Sequence, residues 1–477
     1  MSDTIIETDI CVIGAGSGGL SVAAGAAQLG AATVLIERDR MGGDCLNTGC
    51  VPSKALLAAA KAARRWRADA AFGIHYPPPR IDAAAVNRHV HDVIAAIAPN
   101  DSVARFEGLG VRVVKGSARF VGPQEVAVDG MRIRARRIVV ATGSVAAVPP
   151  IPGLDRVPYL TNETLFEHVA VPRHLVVVGG GPIGLEMAQA YRALGAEVTV
   201  LEAAHILPRD DQELVALLRQ QLVADGIVIR EGVRIVRVEP EGSGVAALLA
   251  KEHGGEERIV GSHLLVAAGR RPNVAGLDLE RAGIAYGPRG IQVDGRLRTS
   301  NRRVFAIGDV AGGPQFTHVA GYHAGVVIRN ALFRLPAKVD YRSLPWVTYT
   351  EPELAQAGLT EAQARAAHGD DVVVLRWPYR ENDRAQAERE TQGLAKAVTT
   401  RSGRVLGASI LGAQAGELIH VWVLAIGQGL NIKALAGMIA PYPTLGEISK
   451  RAAGSFFTPK LFSDRSRRLV RFLSRFG

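Results

Sequence analysis

Long apolar runs are missing from this 477-residue chain: none reaches the length and purity of a membrane span, so no transmembrane role is expected. A basic n-region and an apolar h-region are missing too. The start, MSDTIIETD, is acidic and runs straight into a strand pattern, which predicts no signal peptide. Low-complexity stretches are absent. No recognised nucleic-acid motif accompanies the formal net charge of +10, so the excess arginine reads as scattered surface charge and no nucleic-acid partner is expected. Cysteine is scarce: Cys11, Cys45 and Cys50 are all there are. A closed zinc site wants four ligands, so no metal site is expected, and a chain with two of its three thiols in reactive positions is expected in a reducing cytoplasm. What remains is an ordinary globular composition, 48% hydrophobic and 21% charged with abundant Gly and Ala, that suits α/β layers. The length implies two to four domains.

The most informative stretch is Gly42 to Lys54, GGDCLNTGCVPSK, which sets two cysteines five residues apart. A disulfide needs a Cα separation of roughly 4.4–6.8 Å. Five residues of regular helix rise about 7.5 Å, so Cys45 and Cys50 must sit on a bent turn. Gly49 supplies a permissive backbone for the bend, and Pro52 suits the first turn of the apolar helix that follows, Ala55 to Ala63. A thiolate at that helix start is stabilised by the dipole. Two thiols that can close on each other store two electrons.

Asp9 to Glu37 reads strand, glycine loop, helix, strand. Gly14, Gly16 and Gly19 fit GxGxxG, where glycine permits the tight turn, the close approach of a pyrophosphate and helix-to-strand packing. Glu37 ends the second strand, where its carboxylate can accept from an adenosine ribose. The unit recurs with Gly179, Gly181, Gly184 and Glu202, and in both copies the acid follows the first glycine by 23 residues (37 minus 14, 202 minus 179). Two such units imply two dinucleotides, one bringing a hydride and one passing electrons to sulfur. Glu202 suits a free 2′-hydroxyl and repels a 2′-phosphate. Ala203, Ala204 and His205 offer no immediate arginine, so NADH is expected over NADPH, with Arg209 the nearest basic residue downstream.

Between and after these units, ATGS at Ala141 to Ser144 ends a strand and VPPIPG at Val148 to Gly153 is a proline-rich linker. A strand returns near Gly269, Asp309 ends a further buried strand, and a helix follows from about His318. From about Ser343 the pattern becomes a mixed β and helical third domain.

Together these motifs resemble the pyridine nucleotide-disulfide oxidoreductases, the family of dihydrolipoamide dehydrogenase, glutathione reductase and mercuric reductase, from Asp9 to about Ala453. The resemblance implies two Rossmann-like dinucleotide domains and a C-terminal α+β domain that builds a homodimer: FAD on residues 1–150 and 273–342, NAD(H) on 151–272, and the interface on 343–477. It implies that Gly14, Gly16, Gly19 and Glu37 bind the ADP half of FAD, with Gly116, Thr142, Gly143, Asp309 and His318 as further cofactor contacts. Gly179, Gly181, Gly184, Glu202 and Gly269 would line the nicotinamide nucleotide site. Cys50 would be the thiol against the flavin, Cys45 the interchange thiol, and Lys54 would pair with Glu186 near the flavin.

One position departs from the family. Members that exchange dithiols carry a His-Pro-Thr segment followed by Glu, an acid/base dyad reaching the partner's active site; here Tyr442 stands for the histidine, ahead of Glu447. An ordinary tyrosine titrates near 10 and a histidine near 6.5, a gap of about 4.8 kcal/mol, so deprotonation by residue 442 at neutral pH is expected to be poor. Mercuric reductases also carry tyrosine there but use a C-terminal cysteine pair, and no cysteine follows Cys50. The expected activity is an NAD(P)H-dependent flavoprotein disulfide reductase: electrons pass from NADH through FAD and Cys45–Cys50 to a small or protein-borne disulfide, a metal ion or another small acceptor. The alternatives are a dihydrolipoamide dehydrogenase with an altered base, and a partner- or membrane-docked redox sensor of slow turnover. The last is suggested by Arg465 to Phe476, a basic amphipathic helix expected to pack on its own domain or else to touch a membrane surface or partner.

Overall fold

A computed structural model describes residues 5–251 and 254–476. The opening tetrapeptide of the acidic start, residues 1–4, lies outside the described residues. The chain divides into two compact units, Met1–Ala203 with Gly232–Val339, and Ala204–Glu231 with Asp340–Gly477.

In the first unit the strand Ile5–Ile13 pairs in parallel with Thr33–Glu37 on one side and Met131–Val140 on the other, in registers that set Ile10 beside Thr33 and Cys11 beside Ile138. Val111–Lys115 extends the sheet past Thr33–Glu37, and Val304–Ala306 lies along Met131–Val140. A parallel sheet is covered on both faces, which is why TVLI of Thr33–Glu37 is wholly buried without alternation. The helices Ser17–Gln28 and Thr317–Ala331 meet closely at Gly18, where a Cβ would come within 3.2 Å of the Ala320 Cβ.

The same unit holds the second dinucleotide fold. Its strands His174–Val178, Glu197–Leu201 and His263–Val266 run parallel, with the helix Pro182–Ala193 as the first crossover. An antiparallel sheet of Ile235–Glu241, Gly244–Ala250 and Glu256–Gly261 adds Val245, Ala247 and Leu249 to a core shared with Val176, Val178 and Leu264.

The second unit is α+β. Five antiparallel strands lie in the order Pro345–Thr348, Glu353–Gly358, Val405–Gly412, Leu394–Thr400, Val372–Pro378. Helices bury Trp422, Ile426, Ile448 and Ala452 against this sheet, and the Trp422 indole donates to Ser449 Oγ at 3.0 Å. The helix Gln212–Ala224 belongs to this unit, tied in by Lys396. The Lys396 ammonium is buried and lies 2.7–2.8 Å from carboxylates of Asp211, Glu213 and Glu361. Burial alone would lower its pKa; three carboxylates outweigh that and raise it.

The C-terminal segment forms the helix Asp464–Leu473, capped by Ser463, and none of its residues is buried. The expectation that it packs on its own domain is therefore not met. Among the described residues its apolar side chains Leu469, Val470, Phe472 and Leu473 are left exposed. Among the described residues no helix is long and apolar enough to cross a membrane.

Candidate active site

The redox turn is two helices meeting at a bend. Cys45 lies in the short helix Gly43–Asn47 and Cys50 is the first residue of the helix Cys50–Asp69, longer at both ends than the apolar pattern indicated. Gly49 breaks the chain direction between them at φ −128° and ψ −112°, and its missing Cβ would press to 2.9 Å from the Asp44 carbonyl oxygen. Both cysteines are free thiols, Cys45 half-buried and Cys50 exposed. The Cys45 thiol hydrogen-bonds to Cys50, which pulls Cys50 down to about 6 against the opposing effect of burial, with help from the Thr317 hydroxyl and the Lys54 charge. The same bond, with burial and the neighbouring charge, pushes Cys45 up. Cys50 is thus the thiolate and Cys45 holds the proton. The third thiol, Cys11, is pushed up to about 12 by burial inside the first sheet.

Lys54, one helical turn on from Cys50, places its ammonium 2.8 Å from Glu186 Oε2, on the helix of the second dinucleotide fold. Glu186 is buried, with 6% of its side chain exposed, so this is no surface pair.

The first glycine loop is built by close approach. A Cβ on Gly19 would sit 1.9 Å from the Gly14 carbonyl oxygen, and one on Gly14 would sit 2.5 Å from that of Ala141, so neither position admits a side chain. Glu37 accepts the Ala15 N–H at 2.6 Å and the Asp39 N–H at 2.7 Å, so this acid also braces the loop expected to hold the ADP half of FAD. Gly116 follows its strand at φ +143° and donates to the Glu37 carbonyl. Thr142 and Gly143 are clamped by Asn273: the Thr142 hydroxyl donates to the Asn273 carbonyl at 2.7 Å and Asn273 N–H to that of Gly143 at 2.9 Å. Asp309 accepts from Ser144 Oγ at 2.5 Å, and burial raises its pKa. His318 stacks on Phe316 at 5.2 Å in the first turn of Thr317–Ala331. An open glycine loop at a helix start, an acid behind it and a buried carboxyl fit FAD.

The second loop repeats this geometry. A Cβ on Gly184 would lie 2.0 Å from the Gly179 carbonyl oxygen, and one on Gly179 would lie 2.4 Å from that of Ala267. Glu202 accepts the Gly180 N–H at 2.7 Å. Gly181 is open around its Cα, and Gly269 takes φ +119° past the end of the neighbouring strand. These residues fit a nicotinamide dinucleotide.

In the second unit Tyr442 is 67% exposed. Its hydroxyl donates to Asp383 Oδ2 at 2.8 Å, which, with the Asp383 charge, raises its pKa above the usual 10. Glu447 opens the helix Glu447–Gly454. Asp383, rather than Glu447, is the phenol's hydrogen-bond partner.

Several neighbours escaped the sequence reading. Asp44 accepts from the Thr48 hydroxyl at 2.8 Å and the Asn162 amide at 2.9 Å, and faces Arg270 at 3.1 Å, which buckles the cysteine turn to a distant turn and a distant strand. Thr317 lies 3.4 Å from the Cys50 sulfur. Buried His323, lowered to about 4 by desolvation and hence neutral, accepts the Gly308 N–H at 3.1 Å and fixes the turn carrying Asp309. The adjacency of Asp44 to Cys45 was the one available signal.

Fold and site together define a disulfide oxidoreductase that uses FAD and a nicotinamide dinucleotide. Residues 8–324 match the pyridine nucleotide-disulphide oxidoreductase model and residues 344–453 match its dimerisation domain. The chain belongs to this family. It is 38% identical to a mercuric reductase of Streptomyces lividans over 94% of this chain and 96% of that one. Identity is also 38% to a dihydrolipoyl dehydrogenase of Thermus scotoductus, over 93% and 96%. Among solved structures, the HOCl-induced flavoprotein disulfide reductase RclA from Escherichia coli, as a Cu(II) complex, superposes with a TM-score of 0.84 at 29% identity, covering 93% of this chain and 99% of RclA. The chain is accordingly an NAD(P)H-dependent flavoenzyme that reduces a disulfide, a metal ion or another small acceptor, and its dimerisation domain makes it a homodimer.

Proposed function

We propose that this enzyme works in the reducing direction, from NADH to an acceptor that needs no strong base, and that a thiophilic metal ion or a small disulfide is that acceptor. The observation that carries this is the state of residue 442. A phenol tied to Asp383 and raised in pKa stays protonated at neutral pH. It cannot take the thiol proton that dihydrolipoamide oxidation must shed.

When bound, FAD would supply the two-electron chemistry that couples nicotinamide hydride to reduction of the cysteine disulfide. Gly14, Gly16, Gly19, Glu37, Gly116, Thr142, Gly143, Asp309 and His318 hold it, and Lys54 with Glu186 fixes a positive charge beside Cys50. Gly179, Gly181, Gly184, Glu202 and Gly269 hold the nicotinamide nucleotide, with Glu202 favouring the free 2′-hydroxyl. Residues 1–150 and 273–342 serve the flavin, 151–272 the nicotinamide and 343–477 the interface.

Cys50 keeps negative charge and Cys45 keeps the proton. A disulfide acceptor is attacked by the Cys45 sulfur as its proton passes to Cys50 or water, and one substrate thiol leaves. The Cys50 sulfur then attacks Cys45, closing the enzyme disulfide and releasing the second thiol; the two thiols carry off the Cys45 proton and one from solvent. A metal acceptor is simpler. Both sulfurs ligate it, the Cys45 proton is displaced to water, and two electrons leave the pair for one two-electron ion or two one-electron ions. Support for the metal comes from the mercuric reductases among its relatives and from RclA, solved as a Cu(II) complex. The three-cysteine inventory and the reliance on free thiols favour the cytoplasm.

The test is anaerobic NADH reduction followed by lipoamide, small disulfides, quinones, Cu(II) and Hg(II), with dihydrolipoamide:NAD turnover measured alongside. We expect fast reduction, turnover with a metal ion or small disulfide, and dihydrolipoamide activity on the order of 10²-fold or more below that of Tyr442→His. Efficient wild-type dihydrolipoamide turnover that Tyr442→His lowers would restore the dehydrogenase reading.

A further inference from the structure

The dimerisation-domain match ends at residue 453, and the chain continues into a helix beyond that match. On Asp464–Leu473 and its last turn, Leu469, Phe472, Leu473 and Phe476 share one face at spacings of three, four and seven. Phe472 and Phe476 touch edge to face at 5.3 Å. Arg467, Arg471 and Arg475 occupy the opposite side, Arg468 borders the stripe, and Arg465, four residues before Leu469, stands on the apolar side at the first turn. Five arginines face one aspartate, Asp464. Every one of the four apolar side chains is more than half exposed, from 53% at Leu473 to 75% at Phe476, and Leu461 and Phe462 just before the helix are exposed as well.

A helix that served only its own fold would bury this stripe. Ten residues rise about 15 Å, half a bilayer core, so the helix can lie on a membrane but not cross it. Arginine stems can cover apolar depth while their guanidinium groups reach phosphate. The helix carries five arginines against one aspartate, so its charge complementarity points toward an anionic surface. We propose that residues 463–476 dock the homodimer on an anionic lipid bilayer, with Leu469, Phe472, Leu473 and Phe476 in the headgroup boundary and the arginines on lipid phosphates. Each dimer carries two such helices, and avidity strengthens the attachment wherever one surface engages both. The inference is independent of which acceptor the enzyme reduces.

The test is co-sedimentation of the FAD-loaded dimer with vesicles of phosphatidylcholine alone or with about 30 mol % phosphatidylglycerol. The anionic vesicles should carry the enzyme down and the neutral ones should not, and salt near 0.5 M should release it. Each arginine contributes about fivefold, so replacing Arg467, Arg468, Arg471 and Arg475 by Gln should weaken binding several hundredfold. Phe472→Ser with Phe476→Ser should abolish it at low salt. NADH oxidation with a dye acceptor should be unchanged in both variants, which shows that each is folded and loaded. Equal binding to neutral vesicles, retention of binding in either variant, or no lipid binding by wild type would overturn the proposal. Variants that fall to monomers in analytical ultracentrifugation, with no lipid binding by wild type, would assign the apolar face to the second subunit instead.

Discussion

The two glycine loops are copies of one device set to different uses. Both have a first glycine whose Cβ would strike the carbonyl just past a neighbouring strand, a third glycine whose Cβ would come within 2.0 Å of the first one's carbonyl oxygen, and an acid bonded to the loop backbone at 2.6 or 2.7 Å. What surrounds them differs. The first loop is locked to the redox turn: Gly16 bridges Gly42, Gly42 N–H donates to the Ala15 carbonyl at 2.9 Å, and a Cβ on Gly43 would meet the Gly16 Cα at 2.7 Å. The middle glycines, Gly16 and Gly181, are both open around their Cα atoms. A loop tied to the redox turn suits a resident cofactor.

The largest expected effect breaks the symmetry directly. Gly19→Val and Gly184→Val insert the same clash at equivalent points. Gly19→Val should purify colourless, without flavin absorbance near 450 nm, because the cofactor loop and the cysteine turn move together. Gly184→Val should stay yellow but lose on the order of 10²-fold in kcat/KM for NADH, the usual consequence of misplacing a reacting group by about an ångström. Two colourless proteins would show that the loops are not independent.

A smaller effect sharpens the second loop alone. NADH should be preferred to NADPH by on the order of tenfold or more, and Glu202→Ala should collapse that ratio toward unity while leaving flavin content intact. Equal use of the two coenzymes by wild type would remove Glu202 as the discriminator. Smallest of all is Asp44→Asn at the first loop. Its carboxylate opposes the Cys50 thiolate, so the substitution should move the thiolate midpoint down, by about one pH unit or less. A rise would show that the buckle to Thr48, Asn162 and Arg270 outweighs the charge.

What the sequence made legible follows from reach. Each glycine unit spans fewer than thirty residues and the cysteine turn thirteen, so spacing alone carried the two dinucleotide units and the redox pair. Lys54 and Glu186 lie 132 residues apart, and only family resemblance linked them before the structure did. Asn162, Arg270, Thr317 and Asp383 are single polar residues with no local pattern; their positions emerge only when distant strands and helices meet. Lys396 is the same case, a strand lysine whose carboxylates come from residues 211, 213 and 361. The terminal helix was readable as a helix, because periodicity is local. Its failure to pack was not, because that depends on what the rest of the unit leaves uncovered.

The central claim is that Cys50 carries the thiolate and Cys45 the proton. Oxidised flavin beside a thiolate absorbs at long wavelength, so the most direct measurement is a pH titration of that band after anaerobic two-electron reduction by NADH. Cys50 is depressed to about 6, so the band should be full at neutral pH and above, and fade as the pH falls through about 6. It should be absent in Cys50→Ser and visible before any reduction in Cys45→Ser. A band that survives Cys50→Ser, or one that titrates near the ordinary cysteine value of 9.0, would contradict the account.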